Sequence, residues 1–320
     1  MFILRKRKLL QVITYSAKYK SEWDAFVAAS KNGTFLLQRD YMDYHADRFT
    51  DHSLLFYYNN KLIALLPANQ QGPEVYSHGG LSYGGIISDA GMKTALMLQV
   101  FEKMALYFRE QGFASIKYKT VPHIYHQLPA EEDLYALFRM GASLYRRDIN
   151  SVITLTNKLP YATLRKRKLK QKAQHNLQLG QSYSFDQFLS IQQALLQQKY
   201  KTSPAHTADE VKMLAARFPD NIKLFTATLE GEILGGILVY ETATVAHCQY
   251  IAATPQGQQL NALDVLTDYL ITEVYPYKEY FSFGVSSEQE GLYLNEGLIR
   301  NKESYGARAV VHDFYHLPLT

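Results

Sequence analysis

One order of elements is written twice in this chain, and that repeat constrains the fold more than any other feature of its 320 residues. In the first half an amphipathic stretch at 23–29 precedes two apolar runs, 54–58 and 62–67, that are broken at Asn59-Asn60, a hairpin signature. A Gly- and Tyr-rich stretch follows at 75–87. Met97, Phe101, Met104 and Phe108 then recur at helical spacing within 92–111, with Leu98 and Ala105 beside them; Gly112 closes that helix, and 113–119 returns as a strand. The second half repeats the plan. Runs 223–229 and 233–240 flank Glu230-Gly231-Glu232, a strand follows at 245–252, a helix at 259–274 carries Leu263, Leu266, Leu270 and Val274 on one side, and 280–283 is a strand ending at Gly284.

Helix, hairpin, strand, loop, helix and strand, given twice, predict an α/β chain of the α+β type, with helices packed on mixed sheets in two tandem domains. The expected ranges are 1–158 and 181–320, joined by a basic connector at 159–180. That connector is polar, lacks a sustained apolar face and is not Gly/Ser-rich, so a short helix and docked domains are expected of it. A hydrophobic content of 47% is enough for each domain to bury its own core, and 25 Tyr with 16 Phe favour strands and pockets with an apolar body and a polar rim.

The single cysteine, Cys248, excludes an intramolecular disulfide and a Cys-rich zinc site; a buried thiol is the expected reading, with a nucleophile as the alternative. The opening MFILRKRKLL has no apolar core with a cleavage site, and no later run approaches a membrane span, which makes cytoplasmic residence the default expectation. Net charge is only +4, yet positive residues cluster at Arg5 to Lys8 and at Arg165, Lys166, Arg167, Lys168, Lys170 and Lys172. Such clusters attract phosphates or form a solvated helix face. No histidine falls in a helical H-x-x-x-H pair with a glutamate and no G-x-S-x-G elbow occurs, so neither a zincin-type metal site nor serine hydrolysis is expected, and no metal is needed.

The hairpin, strand, loop and helix resemble the GNAT core, in which a helix N-terminus receives the pyrophosphate of the acyl donor. Two such cores, a basic connector, and the terminal motif Leu294-Asn295-Glu296-Gly297-Leu298 leading to Asn301-Lys302-Glu303-Ser304-Tyr305-Gly306-Ala307-Arg308 look like the Fem-type, FemAB-like acyltransferases. The segment Tyr76-Ser77-His78-Gly79-Gly80-Leu81-Ser82-Tyr83-Gly84-Gly85 is similar to the glycine-rich substrate-side strand of that family. The resemblance spans roughly 21–315. It implies transfer of an acyl or aminoacyl group from a thioester or ester donor to an amine in a cleft between the domains; a catalytically degenerate ligand-binding protein is the alternative. Acyl-CoA is one implied donor, held by Gln256, Gly257, Gln258 and Asn261, although the loop 254–262 lacks the full glycine-spaced pyrophosphate signature. The implied acceptor is a small molecule or resembles a cell-wall precursor. Aminoacyl-tRNA is less favoured, because the long helical arm some Fem enzymes insert has no room here.

Acyl transfer to an amine needs the amine deprotonated, the donor carbonyl polarised and the leaving group protonated. In GNAT-like sites much of the polarisation comes from backbone N–H groups at a splayed strand, which a sequence does not display. Ser77, His78 and Tyr83 sit where backbone approaches a ligand closely, with His78 as base or hydrogen-bond donor; a bulged strand around a partly buried histidine is the alternative. The resemblance places Lys302 in the substrate cleft against phosphate or carboxylate, with Asn295 in the same motif. Glu288, beyond the strand that ends at Gly284, is a second candidate base, while Ser287 and Glu290 have the spacing of a helix cap. Gln249 and Tyr250 precede the donor loop, one to bond the donor's amide portion and Tyr250 to protonate the leaving group, with core packing as the alternative for Tyr250. His206 and Glu210 are candidates to close over the site, and Thr207 with Glu210 has the spacing of a capping box.

Overall fold

The computed structural model describes residues 10–170 and 176–319; Arg5 to Lys8 and Lys172 lie outside them. Two compact units result: Met1–Arg147 with His312–Thr320, and Asp148–Val311. Residues 148–158 and the connector helix thus count with the second unit, and the last nine residues return to the first.

In the first unit, β1 (Leu10–Thr14), β2 (Leu54–Tyr58) and β3 (Lys61–Leu66) pair antiparallel, with Ile87–Ser88 on the outer edge of β3. The expected hairpin forms because Asn59 and Asn60 both take left-handed φ, 51° and 62°, as the tight turn requires. A second set of strands includes β4 (Glu74–Tyr76), parallel to β5 (Ser115–Lys119), which pairs in turn with the C-terminal strand Arg308–Pro318. Between them, α1 (Thr94–Glu110) lays Met97, Phe101, Met104 and Phe108 into one buried cluster with Leu54, Phe56 and Ile63. Each such side chain is worth roughly 1.5–3 kcal/mol of burial. α2 (Glu132–Arg139) contributes the buried carboxyl of Asp133, which accepts a 2.7 Å hydrogen bond from the Tyr118 hydroxyl.

The glycine-rich segment departs from its expected form. It is a loop from 77 to 86, with strand only at its two ends. A Cβ on Gly84 would stand 1.8 Å from the carbonyl oxygen of Ser77, so the chain folds back on itself more tightly than a strand with side chains allows.

In the second unit the connector contains α3 (Thr163–Lys170), followed by β6 (Gln178–Ser182), β7 (Ile222–Leu229), β8 (Glu232–Glu241) and β9 (Val245–Ala253), all antiparallel in that order. Glu230 (φ 52°) and Gly231 (φ 86°) make the second hairpin turn. The single helix expected at 259–274 is divided. Thr254 caps an earlier short helix, α4 (Pro255–Gln259), by accepting from the Gly257 N–H at 3.0 Å; Asn261 then turns left-handed (φ 54°), and α5 (Ala262–Tyr269) runs into a π turn at Leu270–Val274. Leu266 and Leu270 pack with Phe225, Ile237, Val239 and Phe281. β10 (Tyr280–Val285) pairs parallel with β9 on one side and antiparallel with the strand Ser143–Thr154 on the other. Last comes α6 (Glu296–Glu303), capped by Asn295. Among the described residues no helix is long and apolar enough to cross a membrane.

Candidate active site

The strongest chemical feature of the second unit is a parting of two neighbouring strands. β9 and β10 pair only over Val245–His247 and Tyr280–Ser282. β9 continues along β8 to Ala253, with an irregularity: Val239 stands opposite Cys248 and Leu238 opposite Tyr250. Gln249 therefore stands opposite no residue of either neighbour, the geometry of a bulge. β10 stays with the strand Ser143–Thr154 but shifts register there as well, between Ser282 and Val285.

Gly284 makes the departure of β10 feasible. Its φ is 72°, a region costly for residues with a side chain, and a Cβ there would meet the His247 ring at 3.3 Å. The Gly284 N–H donates to Ser282 Oγ at 3.2 Å, and the Ser286 N–H donates to the Ile149 carbonyl at 2.8 Å. His247 Nδ1 lies 3.1 Å from the same Ser282 hydroxyl, and burial pushes its imidazole down to about 4. Neighbouring Cys248 is buried, and its thiol is pushed up by the same desolvation.

Lys302 enters this region from α6. Only 5% exposed, it is an interior residue whose Nζ donates to the carbonyls of Gly284 (3.0 Å) and Val285 (2.7 Å) and to Ser286 Oγ (2.9 Å). Burial lowers its pKa to about 8. Asn295 bonds at both ends: its Oδ1 accepts from the Leu298 N–H at 3.0 Å, and its Nδ2 donates to Glu288 Oε1 at 2.8 Å. Glu288 is exposed on a two-residue strand paired with Tyr293–Leu294, and no helix follows Ser287, so the Ser287–Glu290 spacing caps nothing.

Tyr250, on β9 just past the bulge, has its hydroxyl 2.5 Å from His206 Nδ1, and burial raises its pKa, so the phenol keeps its proton at neutral pH. His206 lies just before the helix Ala208–Arg217, whose start is the expected capping box of Thr207 and Glu210. Gln256, Gly257 and Gln258 lie in α4 instead of an open loop. The Gly257 N–H is taken by Thr254 Oγ1, that of Gln258 by the Thr254 carbonyl, and Pro255 has none, which leaves Gln256 the one donor of that first turn with no acceptor among the described residues. Gly257 also packs against β8, where a Cβ would stand 2.0 Å from the Leu234 carbonyl.

The other site residues read from sequence belong to the first unit. Ser77 Oγ accepts from the Lys119 N–H at 2.7 Å, and the buried Tyr83 hydroxyl shares a 2.8 Å hydrogen bond with Thr34. His78 has φ 63°, its ring stacks against His45 at 5.5 Å, and its buried Nδ1 has no partner among the described residues. Desolvation pushes that imidazole down to about 3, so it is neutral at pH 7.

The structure thus gathers Gln249, Tyr250, Glu288, Asn295 and Lys302 into one unit and adds His206, His247, Ser282, Gly284 and Ser286. Of the added residues His206 and Ser286 carried a sequence signal, His206 ahead of a capping box and Ser286 just beyond the strand that ends at Gly284. The others act through register and backbone conformation, which no motif encodes. Within the basic run Arg165 departs from both readings while Lys166, Arg167, Lys168 and Lys170 are exposed: Arg165 is buried, pairs with Asp264 of α5, and donates to Asn301 Oδ1 (2.6 Å) and Ser304 Oγ (2.8 Å), so it is no free phosphate ligand.

Residues 163–289 match the model of an acetyltransferase (GNAT) domain, a span that contains the parted strands. No curated protein matches the chain. Among solved structures the chain is similar to FemX, at 9% identity over 95% of this chain and 96% of that one, with a TM-score of 0.69. It is also similar to the C-terminal domain of a putative lysylphosphatidylglycerol synthetase from Agrobacterium fabrum (12% identity, 94% and 92% covered, TM-score 0.63). L-PGS from Bacillus licheniformis is a third such structure (12% identity, 93% and 91% covered, TM-score 0.61). At these identities the shared property is the fold.

Proposed function

We propose that this chain, a FemAB-like protein of tandem GNAT type, moves an acyl or aminoacyl group from a thioester or ester donor to an amine acceptor. The observation that carries this reading is the parting of β9 from β10 at a bulge centred on Gln249. Backbone N–H groups released from sheet pairing there are donors for the oxygen of the donor's carbonyl, which gains charge as the amine attacks. One such preorganised donor is worth about 10²- to 10³-fold in rate.

The remaining roles follow from the side chains around the parting. Tyr250, protonated and beside His206, gives its proton to the departing thiolate or alkoxide. Glu288, oriented by Asn295, takes the proton of the acceptor amine. Gln249 bonds the donor's amide portion, and the side chains of Gln256, Gln258 and Asn261 line its further path. Because α4 leaves few N–H groups for a pyrophosphate, an aminoacyl ester stands beside acyl-CoA as donor. The acceptor is a small amine or an amine on a precursor of the cell-wall type.

Incubation with acetyl-CoA, longer acyl-CoAs and aminoacyl esters, read by thermal shift and by appearance of an N-acyl product, tests the reading. A donor held at 100 times its Kd should stabilise by about 2.7 kcal/mol. If no donor stabilises and none transfers while an acceptor-like amine binds, the chain is a ligand-binding protein on a transferase fold.

A further inference from the structure

We infer that Lys302 is a positioning residue, whose ammonium holds the carbonyls of Gly284 and Val285 away from β9 and so keeps β9 and β10 parted. The inference rests on the parted strands as the reacting region and assigns the group that maintains them.

Two adjacent parallel strands that are paired over three residues would ordinarily continue to pair, because each further residue satisfies backbone groups that burial makes costly to leave alone. Here four backbone groups at the end of β10 and just past it are already engaged elsewhere. The N–H of Gly284 is spent on Ser282 Oγ, that of Ser286 on the Ile149 carbonyl, and the carbonyls of Gly284 and Val285 both point to Lys302 Nζ. An ammonium has three donors, and all three are matched, by two carbonyls and Ser286 Oγ, at 2.7–3.0 Å. Bonds to a charged donor are about twice as strong as neutral ones, so a buried ammonium outbids a neutral amide of β9 for these carbonyls. Gly284 supplies the left-handed turn that aims its carbonyl there.

Saturation of the ammonium also bears on how Lys302 serves the reaction. With three internal acceptors it has no donor left for a substrate phosphate or carboxylate. Its influence therefore passes through the strand. The titratable groups that bear on it are His247 and Cys248 of β9; both are uncharged at neutral pH, the imidazole through its low pKa and the thiol through its raised one, so neither competes for the role. Once the amine loses its proton, near pH 8, it has two donors for three acceptors and the hold weakens.

Hydrogen exchange on the full chain, read by mass spectrometry, is the first test and needs no assay of transfer, so a failure there is separable from a failure of the acyltransferase reading; steady-state kinetics of Lys302→Met is the second. In Lys302→Met the amides of 284–288 should exchange at least about tenfold faster than in the parent, while β7 and β8 stay unchanged. Ser286→Ala removes one acceptor and keeps the charge; it should give a smaller increase confined to the same peptide, and serves if Lys302→Met does not fold. In the parent, exchange of that peptide, corrected for its intrinsic rise with pH, should increase above about pH 8, as Lys302 loses its proton. Unchanged exchange at 284–288 in folded Lys302→Met, or in Ser286→Ala where the first variant fails, overturns the inference. So does a Lys302→Met enzyme with a raised KM, an undiminished kcat and parent-like exchange, which would make Lys302 a substrate contact.

Discussion

The guanidinium of Arg165 lies over the ring of Tyr305, its carbon 3.9 Å from the ring centroid. Around it converge Asp264 of α5, Asn301 of α6 and Ser304 at the C-cap of α6, so a residue of α3 ties that helix to two others of the second unit. Removing one partner of a buried ion pair leaves the other uncompensated, at about 3–5 kcal/mol. Arg165→Ala should lower the stability of the second unit by that order, whereas the exposed Lys166→Ala should change it by less than about 0.5 kcal/mol. Denaturant unfolding of the two variants decides; equal midpoints would mean that Arg165 contributes no more than a surface charge.

The glycine-rich loop gives a second contrast, between neighbours in one motif. Gly84→Ala places a methyl 1.8 Å from the Ser77 carbonyl, a backbone atom, and should cost at least about 1–3 kcal/mol. Gly79→Ala meets nothing closer than 3.6 Å and should fold like the parent. Thermal melts of both would show it. A tolerated Gly84→Ala would contradict the tight return of the chain at that point.

Tyr250 carries the catalytic prediction with the simplest substitution. With any donor that transfers, Tyr250→Phe should keep the fold and lower kcat by roughly 10²-fold or more, the contribution of a positioned acid. Glu288→Gln should lower it by a similar factor and leave melting unaltered, because Glu288 is exposed. Turnover within twofold of the parent for Tyr250→Phe would remove the phenol from the mechanism.

In the first unit, Asp133 sets a pH dependence of stability. Burial raises its carboxyl to about 6 despite the hydrogen bond from Tyr118. The folded state therefore holds the proton more tightly than the unfolded chain, whose value is near 3.8. The associated stability is fully present below about pH 4 and is lost as pH rises through 6. At about 1.4 kcal/mol per pH unit it amounts to at most roughly 3 kcal/mol. Asp133→Asn should flatten this slope. Unfolding series from pH 4 to 7 that fall in parallel for parent and variant would assign the slope to other groups.

The order of the elements and both hairpins were legible from the sequence, because these rest on local chemistry. Asn59-Asn60 and Glu230-Gly231 can take left-handed φ, and Met97, Phe101, Met104 and Phe108 fall on one helical face whatever surrounds them. The sequence also pointed to Gln249, Tyr250, Glu288, Asn295 and Lys302 as residues to watch. Their surroundings, in contrast, were set by tertiary packing. The bulge at Gln249 exists because β8 and β9 differ by one residue between two stretches of pairing, the departure of β10 depends on Gly284, and the ammonium of Lys302 faces inward because carbonyls from a strand eighteen residues earlier lie within reach. The same holds for Arg165, whose charge suggests solvent or phosphate until Asp264 and Tyr305 close over it. Local propensity is legible one segment at a time. Register between strands and the burial of a charge depend on segments far apart in the chain, so they appear only once those segments are packed.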